Sequence, residues 1–247
     1  MLISVRCFIK KGVYRNLSTD MLTDQRKADF LVRLAKNAER RKLVKSKSIL
    51  ARFPDGTDRP LKGDSSVLAA IMNIDDKAHL LYTKRSMRLK NHKGEICFPG
   101  GKLDENEDWE MAALREADEE INLKASQLTV WSTMAPIMNR KMTHNITPIL
   151  ALIDKHVNLK NMTEEVDVIF AIPIDEISQN HHYTAFKFQF SFLLPYFESR
   201  NFKIIHTAND TYTKPDVVRI WGLTGLLTHQ VLINLCPELY KPNIYLP

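Results

Sequence analysis

Cysteine is scarce in this chain: three residues in 247, at Cys7, Cys97 and Cys236, with no CxxC pair. An odd, dispersed set argues against a disulfide framework or a zinc site and suits a reducing compartment. Long apolar runs are missing too; none approaches the roughly 18–20 residues that a helix needs to cross a bilayer. No repeat and no low-complexity tract is present. Acids are absent from the first nineteen residues, MLISVRCFIKKGVYRNLST, where Arg6, Lys10, Lys11 and Arg15 all precede Asp20. Basic, acid-free and partly apolar is the pattern of an organelle transit segment, so residues 1–19 are expected to direct the chain to mitochondria. Cytoplasmic or peroxisomal residence is the alternative, although Ile244-Tyr245-Leu246-Pro247 is not a Ser-Lys-Leu address.

Glycine is rare as well, eight in all, yet Gly94, Gly100 and Gly101 crowd into KGEICFPGG. Where glycine is this sparse, a cluster marks backbone that needs positive φ or close approach to a ligand. Directly after it, the pattern predicts a helix carrying Glu107, Arg115, Glu116, Glu119 and Glu120. Between Asp104 and Glu120 nine acids face one base, while the rest of the chain holds 34 Lys/Arg against 20 Asp/Glu, and the whole nets +6. Glu116 and Glu120 are four apart, so on a helix they are neighbours whose like charges cost a few tenths of a kcal/mol. A hard divalent cation reverses that cost, because carboxylate oxygens are the ligands Mg²⁺ or Mn²⁺ prefers. An acidic pit in a basic body suits an anionic, polyphosphate-like substrate. The competing reading is a solvated acidic helix, weakened by the lack of interleaved lysine.

Residues 24–45 read as a helix with a strongly basic face, packed through Ala28, Leu31, Leu34, Ala35 and Ala38. Self-association through this helix stays open; nucleic-acid binding is not expected, because no recognition module or aromatic interleaving accompanies the charge. A linker follows (Pro54-Asp55-Gly56, Pro60, Gly63-Asp64). Two apolar runs, 66–72 and 79–83, around Asp75-Asp76-Lys77 read as a β-hairpin. Further strands are expected at 129–138, 145–153, 167–172 and 185–194, with helices at 175–179 and 221–235. Strands mixed with a few helices, without βαβ alternation, predict an α/β fold, a sandwich around a mixed β-sheet.

The block Gly101-x5-Glu107-x7-Arg115-Glu116-Ala117-x-Glu119-Glu120-x-Asn122-Leu123 resembles the Nudix box, G-x5-E-x7-R-E-U-x-E-E-x-G-U, where U is a bulky aliphatic residue. Ala117 is smaller than the usual aliphatic. Asn122 replaces the last glycine but tolerates the left-handed cap. Upstream, Tyr82-Thr83-Lys84-Arg85-Ser86, Leu89-Lys90-Asn91-His92-Lys93-Gly94 and Phe98-Pro99-Gly100-Gly101 are similar to the motif of the coenzyme A diphosphatases in that superfamily. There Tyr82 stands for a leucine, and Lys90 for an arginine, which keeps charge but loses bidentate phosphate recognition. The resemblance covers roughly residues 64–235.

It implies a Nudix-type α/β/α sandwich over residues 63–247, preceded by a basic helical extension and linker over 20–62. It implies metal-assisted attack of water on a diphosphate. Glu116 and Glu120 would be metal ligands, Glu119 a further ligand or the base, and Gly101 a carbonyl donor. Arg115 would orient Glu119, and Glu164 or Glu165 is an alternative base. Arg85, His92 and Lys90 would bind substrate, and Mg²⁺ or Mn²⁺ would be the cofactor. The expected substrate is coenzyme A or acyl-CoA. The alternatives are another nucleotide, such as a dinucleotide or sugar nucleotide, and a non-catalytic Nudix-fold binding protein.

Overall fold

The computed structural model describes residues 21–45, 59–154, 156–187, 191–209 and 211–244. The expected leader, residues 1–19, and the Pro54-Asp55-Gly56 turn lie outside them. The chain runs α1 (Asp24–Lys45), β1 (Ser65–Ile74), β2 (Lys77–Arg85), β3 (Ile96–Cys97), β4 (Gly100–Lys102), α2 (Trp109–Ile121), a 3₁₀ turn at Ala125–Gln127, β5 (Leu128–Thr133), β6 (Ile137–Met138), β7 (Asn145–Ile153), β8 (Val166–Pro173), α3 (Ile174–Gln179), β9 (His181–Lys187), β10 (Ser191–Ser199), β11 (Lys203–Thr207), β12 (Val218–Ile220) and α4 (Gly222–Leu235).

The expected hairpin forms between β1 and β2, with Ile74 opposite Lys77. Its two turn residues, Asp75 and Asp76, sit at φ 51° and 58°, the left-handed pair that a two-residue turn between twisted strands requires. The main sheet orders as β11-β8-β2-β1-β7-β5, with β3 added to β2, β4 to β1 and β6 to β7. β1 and β7 run parallel while β2 runs antiparallel to both β1 and β8, so the sheet is mixed as expected. A second sheet orders as β12-β10-β9.

The alternation along β1 divides the core in two. Leu68 and Ala70 face Ala113, Ala117 and Ile121 of α2, whereas Ala69 and Ile71 belong to the layer with Leu227, Val231 and Leu235 of α4. Helices on both faces make the α/β/α sandwich. Ala117 is fully buried in it, so its small side chain is what lets α2 settle on the sheet.

Several expectations are corrected. The stretch 129–138 divides into β5 and β6, and 185–194 belongs to two antiparallel strands, β9 and β10. The short strands β3, β4, β11 and β12 were not expected, because two to five residues carry too little alternation to be read without their partners. The expected apolar stripe of α1 is also corrected. Ala28, Leu31, Ala35 and Ala38 are exposed, and the helix packs instead through Phe30, at 0% exposure, with Leu34. Its basic side chains are not simply solvated either. Arg33 donates to the carbonyls of Asn234 and Leu235 at 2.6 and 3.3 Å, and Arg26 donates to Leu235. Those carbonyls end α4, so the cations satisfy acceptors that the helix itself cannot.

Candidate active site

α2 starts at Trp109, later than the acidic pattern suggests. Asp108 is its N-cap, accepting from Met111 N at 2.8 Å, so Glu107 precedes the helix rather than riding on it. At the other end Asn122 adopts φ 58° and ψ 35°, and its N–H turns back to the carbonyls of Ala117 and Asp118. The glycine missing from the box is thus replaced by a residue that holds the same left-handed cap.

β4 brings the glycines against this helix. Gly101 pairs with Ser66 of β1, and a Cβ at Gly101 would overlap the Glu116 carboxyl. Gly100 sits at φ +149°, with Ser66 and Val67 backbone filling the space a side chain would need. Its N–H donates to Glu120 Oε2 at 3.3 Å. Glu120 is 6% exposed. Burial pushes its carboxyl up to about 8; the Gly100 N–H opposes that rise and the Glu116 charge adds to it. Glu116 is raised too, chiefly by burial, with Arg115 opposing. A half-buried and a buried carboxylate one turn apart, Glu116 and Glu120, therefore face a backbone strip without side chains.

Arg115 is the hub of the site. Its guanidinium takes Glu107 in a fork, Nε to Oε1 at 2.7 Å and Nη2 to Oε2 at 3.0 Å. It also donates to Glu116 and Glu119, both at 3.1 Å, and to the Lys102 carbonyl at 3.0 Å. The fork holds the Glu107 carboxyl below the usual range and Arg115 above its own. The expected contact to Glu119 is present, but Glu107 takes the strongest share. Glu119 itself is 57% exposed and turned toward Arg115.

Across from the pair, Arg85 at the end of β2 donates to Glu165 Oε2 at 3.1 Å. The charges of both reach Glu120, and that of Glu165 also reaches Glu116. Glu164 instead meets Arg88 at 3.8 Å, both exposed. The two acids were indistinguishable in sequence. What separates them is register: β2 pairs with β8 so that Arg85 stands opposite Val166, which sets Glu165 beside it. Lys90 and His92 are not brought to the carboxylates in the same way. Both are exposed on the loop between β2 and β3, and His92 Nδ1 lies 2.8 Å from Glu95.

A hard divalent cation fits this donor set. The facing groups are carboxylate oxygens, the Glu116 carboxyl lies directly against the Gly101 backbone, and the raised carboxyls need a positive partner to ionise. Among the described residues no three acidic, His or Cys side chains converge on one point.

The NUDIX domain family profile matches residues 64–194. Nudix hydrolase 3 of Caenorhabditis elegans is 36% identical over 192 residues, spanning 76% of this chain and 80% of that protein. The mitochondrial coenzyme A diphosphatase NUDT8 of Mus musculus is 34% identical over 191 residues, spanning 74% and 83%. The peroxisomal coenzyme A diphosphatase NUDT7 of the same species is 36% identical over 113 residues, 44% and 47% of the respective lengths. With the box residues assembled between β4 and α2, and with the family profile covering more than half of the chain, this chain belongs to the Nudix family of hydrolases, on the branch that includes coenzyme A diphosphatases.

Proposed function

We propose that the protein hydrolyses the diphosphate bond of coenzyme A or acyl-CoA, releasing (acyl-)phosphopantetheine and adenosine 3′,5′-bisphosphate. The observation that carries the reaction type is the pair of half-buried Glu116 and buried Glu120 against the Gly100-Gly101 strip. The substrate rests on the relatives named as coenzyme A diphosphatases and on the loop motif that includes Arg85, Lys90 and His92.

In this reading Glu116 and Glu120 hold Mg²⁺ or Mn²⁺, with the Gly101 carbonyl as a further donor and Glu119 available once it leaves Arg115. A divalent ion held there would supply activation of the attacking water and charge neutralisation on the diphosphate. Arg115 keeps Glu116 oriented and sets the position of Glu119, the group that accepts a proton from water; Glu165, held by Arg85, is the second candidate. Arg85, Lys90 and His92 bind the anionic substrate.

Residues 1–19 act as a mitochondrial targeting segment, a reading supported by their acid-free basic composition and by the mitochondrial relative. A C-terminally tagged full-length chain is expected in mitochondria, shortened at its N-terminus. Uniform cytosolic signal at full length overturns that part.

The substrate test is product analysis on a panel of free CoA, acyl-CoAs, dinucleotides and sugar nucleotides, with Mg²⁺ and with chelator. Adenosine 3′,5′-bisphosphate released only with metal supports the reading. Equal or faster turnover of a nucleotide outside the CoA group refutes it.

A further inference from the structure

A cavity of about 290 Å³ opens on the other side of the sheet from the glutamates. Its walls include Phe170, Phe202, Tyr212 and Trp221, with Lys84 and Arg219 among its lining. The placement follows from strand alternation. Lys84 points to the same face as Tyr82, within the α4 layer, whereas Arg85 points to the glutamate face. On β3 the neighbours divide likewise: Ile96 lines the cavity, and Cys97 feels the charges of Glu120 and Arg85. The β2–β3 ribbon therefore presents Lys84 and Ile96 to the cavity, and Arg85 and Cys97 to the glutamate face. That ribbon ends where Gly94 N donates to Arg85 O at 3.1 Å. Gly94 also lines the cavity, with the Met87 sulfur where a side chain at Gly94 would lie.

The function reading above does not use this cavity, and its chemistry is specific. Phe170 and Phe202 are almost fully buried and meet edge to face at 5.7 Å, giving a fixed aromatic floor. Trp221 is 53% exposed, an exposure rare for a residue of this size and apolarity. Lys84 lies 5.4 Å over the Tyr212 ring, and no described carboxylate pairs with it. Arg219 is already held by Glu198 at 2.7 Å, which leaves Lys84 as the available cation. Trp221 is also the N-cap of α4, and no side chain caps that end of the helix, so a helix N-terminus adds to the positive potential there. Aromatic walls with a cation suit a planar ring that carries a phosphate. An acyl chain would use the walls but leave Lys84 without a partner.

We infer that this cavity is the base subsite of the substrate. It takes the purine ring of the nucleotide half beside Trp221, with Lys84 receiving the phosphate carried on the ribose. The assignment rests on the function reading for the identity of that nucleotide, and it would make Lys84 the residue that favours a 3′-phosphorylated nucleotide over an unphosphorylated one.

The test uses the full chain in chelator, so that binding is read without turnover. Adenosine 3′,5′-bisphosphate, AMP and 4′-phosphopantetheine are titrated by tryptophan fluorescence and calorimetry. The bisphosphate is expected to change the fluorescence. Trp221→Phe, which leaves Trp109 and Trp131 as the only tryptophans, should remove that change and weaken binding roughly tenfold. Lys84→Met should weaken the bisphosphate by about tenfold while hardly moving AMP. Bisphosphate binding untouched by both variants overturns the inference, as does a Trp221 signal produced by phosphopantetheine but not by the bisphosphate. Failure of the function reading is seen separately, in the products of wild-type turnover, a measurement that involves neither variant.

Discussion

Glu120→Gln should make the metal-free protein more stable at pH 8 while removing its activity. The native Glu120 carboxyl is 6% exposed and is pushed up to about 8, first by burial. In the unfolded chain the same group ionises near its ordinary value of roughly 4.3. A raised native pKa means that stability is complete below the unfolded value and is lost as pH rises through the native one. At about 1.4 kcal/mol per unit, the loss reaches roughly 4–5 kcal/mol by pH 8. Glutamine keeps the Oε acceptor for the Gly100 N–H but carries no charge to desolvate, so it escapes the loss. For a chain of this size the difference amounts to a melting temperature higher by on the order of 10 °C. The assay is urea unfolding of wild type and variant in chelator at pH 5, 6, 7 and 8. The gap between them should be small at pH 5 and widen steadily toward pH 8. Adding Mg²⁺ should then stabilise wild type far more than the variant, because a ligand stabilises only the state that binds it. A variant that is equally or less stable at pH 8, or a gap that ignores pH, refutes the account of Glu120 as a buried carboxyl awaiting a cation.

Three further substitutions test the surrounding framework. Arg115→Lys keeps the charge but loses the fork on Glu107 and the simultaneous reach to Glu116, Glu119 and the Lys102 carbonyl. With Arg115 a quarter exposed, the expected cost is about 2–3 kcal/mol by chemical denaturation, below the figure for a fully buried pair. Turnover should fall roughly 10- to 100-fold; unchanged turnover would mean that Arg115 orients nothing. Gly101→Ala sets a methyl group where the Glu116 carboxyl lies. Metal-dependent turnover should drop at least about tenfold, or 1.4 kcal/mol in the barrier, and the Mg²⁺ concentration for half-maximal rate should rise; normal metal dependence would argue against the strip beside Glu116 as part of the site. Phe30→Ala removes a fully buried ring that meets Trp131 at 6.0 Å. A loss of about 3–5 kcal/mol is expected, and a loss below 1 kcal/mol would show that α1 is a detachable arm rather than part of the core.

Much of the site could be read from spacing alone because it is local. One helical turn makes Glu116 and Glu120 neighbours and brings Arg115 to Glu119, whatever the rest of the chain does. The same holds for the β1–β2 hairpin and for β7, β8 and α4, whose patterns are long enough to show their period. The basic helix was legible as a helix but not in its docking, since Ala28, Leu31 and Ala35 form an apolar stripe that the tertiary structure leaves in water. Phe30 is buried instead because it packs beside Trp131 in the core, and no periodicity encodes a contact a hundred residues away.

The amino-acid sequence by itself determined the helix of carboxylates, its left-handed cap at Asn122 and the glycine strip before it, since each depends on residues a few positions apart. Only the tertiary structure decided which acids are buried, that Glu165 rather than Glu164 meets Arg85, that Lys90 and His92 stand apart on an exposed loop, and that Lys84, Phe170, Tyr212 and Trp221 share one cavity. These depend on strand register and on the sheet's two faces, which join residues tens to more than a hundred positions apart. Burial gives a carboxyl its unusual pKa, and burial is a property of what packs around a residue rather than of the residue itself.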